Sequence, residues 1–208
     1  MRTCYRLAAA LIFSLMCGGA LAAMAAQSWR IDETHTSIGF KIDATGFPTT
    51  RGHFNHYTGR IAIDLDRPAK SSTSFTVESA SVDVGSQSYT DFVKSTALLN
   101  VAKFPTLSFA STQVEKLDPR TARVTGNLTM LGVTKPIALT VNVEPDPSAQ
   151  ESAQESAKQS AKQSAKRRLV AFSATGTIRR SDFGMIFGLP LIDDAIEITV
   201  KTRALTDE

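Results

Sequence analysis

Residues 122–143 constrain the fold more than any other stretch of the chain. Ala122, Val124, Gly126, Leu128 and Met130 alternate with Arg123, Thr125, Asn127 and Thr129. Beyond Leu131-Gly132, Ile137, Leu139, Val141 and Val143 alternate with Ala138, Thr140 and Asn142. Period-two alternation on both sides of a glycine-containing turn is the pattern of an antiparallel hairpin with one apolar face. Gly132 supplies the positive φ such turns use. Pro136 has no N–H to donate, so it belongs at a strand start or a sheet edge.

The same grammar runs through most of the chain. Trp29 to Asp32 opens the domain, and Ile38, Phe40 and Ile42 form the inward set of a strand that ends at the turn Thr45-Gly46-Phe47-Pro48. From Gly52 to Leu65 the apolar phase switches: Phe54 is even, whereas Tyr57, Ile61 and Ile63 are odd. From Phe75 and Val77 to Ala80, Val82 and Val84 it switches again, with Ser79 at the slip. A one-residue slip is what a bulge produces, and bulges coil sheets into barrels. Residues 89–99 change period: Phe92, Thr96 and Leu99 share a helical stripe with Val93 beside it, and Ser88 or Thr90 is the expected cap. Leu107 and Phe109 restart extended structure. Val170, Phe172, Ala174, Gly176 and Ile178 form another inward face, and Ile196, Ile198 and Val200 close the chain. This predicts an all-β fold: an eight-stranded antiparallel barrel with one short helix near residues 89–99 plugging an end. A barrel of that size holds either packed side chains or one slender ligand.

Two segments stand outside this grammar. Arg2 and Arg6 precede an uncharged apolar run from Leu7 to Leu15, and Ala23-Met24-Ala25, or Ala20-Leu21-Ala22, fits a small-x-small cleavage site. Residues 1–25 read as a secretory signal peptide, leaving 26–208 as one domain. Its removal takes away both cysteines, Cys4 and Cys17, and lowers the formal charge from +3 to +1. The mature domain therefore folds without disulfides and carries no basic excess that would point to nucleic acid. From Ser148 the tetrapeptides SAQE, SAQE, SAKQ, SAKQ and SAKR follow one another. With no large apolar residue, residues 145–168 read as an exposed low-complexity loop between two strands.

Five short stretches, in order, resemble the YceI-like polyisoprenoid-binding family: Asp32-Glu33-Thr34-His35-Thr36 leading to Phe40; Gly52-His53-Phe54 followed by Gly59-Arg60-Ile61; Phe104-Pro105 leading to Phe109; Gly126-Asn127-Leu128-Thr129 with Gly132-Val133-Thr134-Lys135; and Arg180-Ser181-Asp182-Phe183-Gly184-Met185. The likeness runs from Trp29 to near Ala204, apart from the repeat. It implies a lipocalin-like barrel, typically periplasmic, whose apolar interior holds a long isoprenoid or related lipid such as a polyprenyl phosphate or a quinone, with no cofactor. Phe40, Phe54, Phe109, Phe172 and Phe183, with Leu128 and Met130, are the candidate wall; methionine adapts to irregular ligands. The bland alternative is that these side chains pack on one another as core. His35 and Arg180 are the candidate headgroup contacts, since arginine suits phosphate through its bidentate fork. Their bland alternatives are a strand cap for His35 and a local turn tie for Arg180.

His35, His53 and His56 are the only histidines, too few and too scattered for a zinc site. No nucleophile elbow, phosphate loop or paired carboxylate cluster stands out, and Asp193-Asp194 reads as a solvated turn. A binding protein is therefore favoured over an enzyme acting on an apolar lipid; a ligand-free stress or interaction module is the main alternative. The apolar loop at residues 186–189 suits a second subunit, giving a homodimer, or a transient membrane contact.

Overall fold

A computed structural model describes residues 27–31, 35–64, 67–144 and 169–206. The signal-peptide reading at 1–25 and the repeat at 145–168 lie outside the described residues. Among the described residues there are eleven strands: β1 (Gln27–Ile31), β2 (Ser37–Ala44), β3 (Phe47–Phe54), β4 (Tyr57–Ile63), β5 (Ser72–Glu78), β6 (Val82–Asp83), β7 (Thr106–Lys116), β8 (Thr121–Met130), β9 (Val133–Glu144), β10 (Leu169–Arg179) and β11 (Ile192–Thr206). The α-helix α1 (Gln87–Lys94) lies between β6 and β7. All strand pairings are antiparallel.

The expected count was eight strands, and the pairing explains the difference. β11 bonds to both β1 and β2, β4 pairs with β1 where β3 pairs with β2, and β5 pairs with β4 where β6 pairs with β3, so β1/β2, β3/β4 and β5/β6 are each one interrupted strand. Three long strands of an eight-membered ring are each cut in two. The cuts face one another across neighbouring strands. Asn55 N–H donates to Ser81 O at 3.1 Å and Glu78 N–H to His56 O at 2.9 Å. Thr36 and Thr202 hydroxyls meet at 2.7 Å, and the Tyr57 hydroxyl donates to Thr36 O. Each expected one-residue bulge is thus a fuller break, at Asn55-His56 and at the 3-10 turn Ser79–Ser81. A stitched belt of breaks lets one side of the wall bend without leaving backbone groups unbonded.

The 122–143 hairpin forms as expected: β8 and β9 pair from Thr121↔Asn142 to Met130↔Val133. Leu131 (φ 52°) and Gly132 (φ 76°) make the turn. A leucine in the left-handed region is disfavoured; its side chain packs against the core cluster, which offsets that cost. Pro136 lies within β9, but β9 pairs with β10 only over Thr140–Glu144, so the proline sits where that side of the strand is unpaired. The helix starts earlier than expected, with Ser86 at its N-cap position, and ends after Lys94, where the Ser95 hydroxyl donates to Phe92 O at 2.7 Å. Thr90 is no cap. It is buried, and its hydroxyl accepts the Val84 N–H at 3.2 Å, tying α1 to the end of β6.

The helix, residues 95–105 and the segment after β10 close one end of the barrel. There Val82, Val93, Leu99, Met130, Ile178, Phe183 and Met185 form a buried cluster. The turn Asp118-Pro119-Arg120 and the 3-10 turn Pro68–Lys70 mark the opposite end.

Candidate functional site

The axis of the barrel is hollow. A cavity of about 370 Å³ runs from the buried cluster to the far end, within the usual size range for small-molecule sites. Inward positions of nearly every strand line it: Ile38 and Phe40 of β2, Ile61 of β4, Phe75 and Val77 of β5, Phe109 of β7, Val124 and Leu128 of β8, Leu139 and Val141 of β9, Phe172 and Ala174 of β10, and Ile198 and Val200 of β11. Val93, Leu98 and Leu99 form its floor from the helical side.

The hollow survives because bulky inward residues lie over glycines on the next strand. Phe40 is paired with Gly52, and a Cβ on Gly52 would sit 2.3 Å from the Phe40 Cζ. A Cβ on Gly126 would sit 2.4 Å from the Phe109 Cζ, and one on Gly176 2.5 Å from a Leu139 methyl. The side chains occupy space the glycines leave vacant on the wall, and the axis stays clear.

Six of the seven expected wall residues face this cavity: Phe40, Phe54, Phe109, Leu128, Met130 and Phe172. Phe183 does not. It is 2% exposed within the buried cluster at the closed end and supports the floor from beneath. His35 is also corrected: it is exposed and lies outside the cavity lining.

Arg180 sits at the closed end, 1% exposed, with its guanidinium committed to backbone. Nε donates to Asp193 O at 2.8 Å, Nη1 to Met185 O at 2.9 Å and Phe187 O at 2.7 Å, and Nη2 to Ile192 O at 2.8 Å. With four of five donors spent, its role is that of a tie for the 184–193 loop, and the headgroup role falls. Burial pushes its pKa down from the ordinary arginine value while Asp194 opposes the shift; arginine nevertheless stays protonated at neutral pH. The expected solvated turn at Asp193-Asp194 is instead an irregular start of β11. The Asp194 carboxylate accepts the Ser181 N–H at 2.9 Å and hydroxyl at 2.7 Å, and these bonds hold its pKa below the usual aspartate value.

Among the described lining residues, every charged side chain other than Arg180 stands at the end opposite the buried cluster: Asp64, Lys116, Asp118 and Arg120. Asp64 is buried and answered by Arg67, whose Nε lies at 3.0 Å and Nη2 at 2.9 Å from one carboxylate oxygen. Asp118 accepts the Arg120 N–H at 2.8 Å. Sequence reasoning did not single out these four; their position at the ends of β4, β7 and β8 makes them a rim. It also missed Tyr89 and Thr50 on the lining. Among the described residues no three His, Cys, Asp or Glu side chains converge as metal ligands would.

The family model for the YceI-like domain matches residues 29–204. A UPF0312 protein of Enterobacter sp. (strain 638) is 29% identical over 182 residues, covering 86% of this chain and 87% of the relative. The crystal structure of a Campylobacter jejuni YCEI protein superposes with a TM-score of 0.64 at 26% identity, covering 85% of this chain and 96% of that one. A polyisoprenoid binding domain from Saccharophagus degradans shares the fold with a TM-score of 0.61 at 13% identity, covering 88% of this chain and 99% of that one. An antiparallel barrel with this hollow, matched by the family model along almost its whole length, makes the chain a member of the YceI-like domain family.

Proposed function

We propose that this protein is a periplasmic carrier that holds one isoprenoid-type lipid, of the polyprenyl phosphate or quinone class, along the axis of its barrel. The observation that carries this reading is the continuous apolar tunnel, whose described lining carries no charged side chain between Arg180 at the closed end and the rim. A void of this size left dry forgoes on the order of 9 kcal/mol at ~24 cal/mol per Å³, comparable with the whole stability of an ordinary domain. An isoprene unit has five carbons, and its burial contributes up to roughly 3–4 kcal/mol. A few units therefore outweigh association and ordering costs.

The charge distribution sets the ligand's direction. The hydrocarbon tail lies toward Leu99 and Met130, and the headgroup lies at the rim beside Lys116 and Arg120. The S. degradans domain described as polyisoprenoid binding supports the reading through its shared fold. The apolar run and cleavage pattern of residues 1–25 support export. A carrier of this kind acts through burial and release and needs no reacting group.

Native mass spectrometry and solvent extraction of the purified protein test the proposal. The expected result is a co-purifying lipid, or stoichiometric uptake of geranylgeranyl phosphate from detergent. Protein that carries no lipid and takes up none would overturn it.

A further inference from the structure

The closed end of the barrel carries an apolar surface that the carrier role alone does not explain. Phe47 is 72% exposed, Ile186 66% and Leu191 62%, and Phe187, Leu189 and Tyr89 are exposed beside them. These residues form one patch. Thr45 N–H donates to Leu191 O at 2.8 Å, which sets the 186–191 loop against the β2–β3 turn before Phe47. The Phe187 ring meets Phe92 edge-on at 5.3 Å, and Phe92 stacks on Tyr89 at 6.3 Å. Tyr89 then belongs to both surfaces: it lies on the patch and it lines the tunnel.

The wall beside Tyr89 is open in its hydrogen bonding. β3 pairs with β6 only at His53 and Phe54, so residues 47–52 have no strand partner on that side. Helix α1 stands there instead, and Tyr89 Oη lies 3.4 Å from Thr50 Oγ1, a long hydroxyl contact across the gap. Pro48 on this edge supplies no N–H, which disfavours a strand from a second copy adding to it.

We propose that this patch docks on a lipid bilayer and that the gap between Tyr89 and Thr50 is the passage between bilayer and tunnel. Exposed apolar loops that enter the interfacial zone bind by the apolar area they bury there. Docked this way, the molecule sets its tunnel across the membrane surface with the charged rim farthest from it. A quinone-class lipid, whose headgroup passes the apolar wall with no charge to bury, is drawn out along the bilayer normal head first, brings its carbonyls to Lys116 and Arg120, and leaves its tail toward the membrane. It never turns over. The tunnel repeats the polarity that the lipid already has in its leaflet. The proposal rests on the carrier reading for its cargo, though not for the docking itself.

The protein is tested as it accumulates after expression of the full chain, with its N-terminus read by mass spectrometry. Vesicles of phosphatidylethanolamine and phosphatidylglycerol, doped with a radiolabelled short-chain ubiquinone, are the probe. Phe47→Ser/Ile186→Ser/Leu191→Ser is expected to reduce vesicle flotation at least about tenfold. Its loading from detergent should be unchanged, because none of the three lines the tunnel. Phe47→Ser alone is the milder control should the triple variant misfold, and it should show a smaller loss in the same direction. Thr50→Cys/Tyr89→Cys bridged by a short bis-maleimide should take up lipid from vesicles about tenfold more slowly than the same double variant with its thiols blocked singly by N-ethylmaleimide, the two floating alike because both lack Tyr89. Flotation unchanged by both patch variants overturns the docking surface, and uptake unchanged by the bridge overturns the passage. Sedimentation of the parent as a dimer that the triple variant dissolves, with no flotation by either, assigns the patch to a second copy and overturns the proposal too. A parent that floats yet never loads from detergent leaves the docking standing and removes the carrier reading instead.

Discussion

Replacing Arg180 with methionine separates a structural tie from a ligand contact. The guanidinium is 1% exposed and satisfies the carbonyls of Met185, Phe187, Ile192 and Asp193. Methionine keeps much of the apolar stem and removes every donor. Water can reach some of those carbonyls at the loop surface, so about two remain buried and unmet, at ~1–3 kcal/mol each. The expected loss is about 4 kcal/mol. For a chain of this length that lowers Tm by about 10 °C, at ~2–4 °C per kcal/mol. Arg180→Lys, with donors converging on one nitrogen, should recover less than half of the loss, because the four carbonyls surround a planar fork. Differential scanning calorimetry measures the stability, and solvent extraction measures bound lipid at a temperature where each variant is folded. The tie predicts a large fall in Tm with lipid content per folded molecule preserved. A Tm within about 3 °C of the parent, together with lost lipid, would refute it and return Arg180 to the ligand.

Phe109→Asp and Phe172→Asp each place a carboxylate on the tunnel wall, and each should abolish lipid retention in protein that still folds, since an unpaired charge facing hydrocarbon is strongly disfavoured; extraction of purified protein, with its fold checked by circular dichroism, tests this. Gly52→Ala drives a methyl into the Phe40 ring and to 2.9 Å from a Val84 methyl; the expected cost is ~1–3 kcal/mol in chemical denaturation, with reduced lipid loading that Gly52→Ala/Phe40→Leu restores. Asp194 has a depressed folded pKa because Ser181 donates to it twice, so its stabilising contribution is present above the unfolded aspartate value of about 3.9 and is lost as pH falls through the lower folded value. Asp194→Asn should therefore show a shallower loss of stability than the parent below about pH 4, and equal slopes in acid denaturation would contradict the assignment.

What could be read in advance divides along a physical line. The 122–143 hairpin was legible because alternation, a glycine turn and a proline all report on backbone and burial locally, and the ring of eight long strands followed from counting such runs. The breaks at Asn55-His56 and Ser79–Ser81 appeared in sequence only as phase changes. A one-residue slip and these longer breaks all invert the inward parity, Phe54 to Tyr57 and Val77 to Val82 both being odd steps, and the bonds that decide between them, such as Glu78 N–H to His56 O, join distant residues. Six of the expected wall residues line the cavity because inward parity on a strand is a local property. Phe183 failed because it stands on a 3-10 turn, where period two says nothing about direction. Asp194 was misread because a charged residue in a turn looks solvated until the loop folding over it is known, whereas for Arg180 the turn tie weighed against the headgroup contact is the one found.

The hollow itself was written less in the phenylalanines than in the glycines facing them. Aromatic inward positions argue equally for a packed core and for a lined tunnel, because both bury rings. The distinction comes from where the rings can go. In a barrel of eight strands the interior is only wide enough for inward side chains to meet across the axis. Gly52, Gly126 and Gly176 remove three of those side chains at inward positions, and Phe40, Phe109 and Leu139 lie over the vacancies against the wall. The three sites differ in how strictly they require glycine. At Gly52 the atoms within 3 Å of an added Cβ are side-chain atoms of Phe40 and Val84, which can move into the tunnel. At Gly126 and Gly176 they include Ala110 O at 2.5 Å and Ala138 O at 2.9 Å, so the sheet itself must shift. Alanine at Gly52 therefore narrows the ligand space, whereas alanine at the other two strains the barrel. A lined tunnel thus needs small residues beside large ones at matching heights on neighbouring strands, and that cross-strand pattern becomes visible only once the register is known.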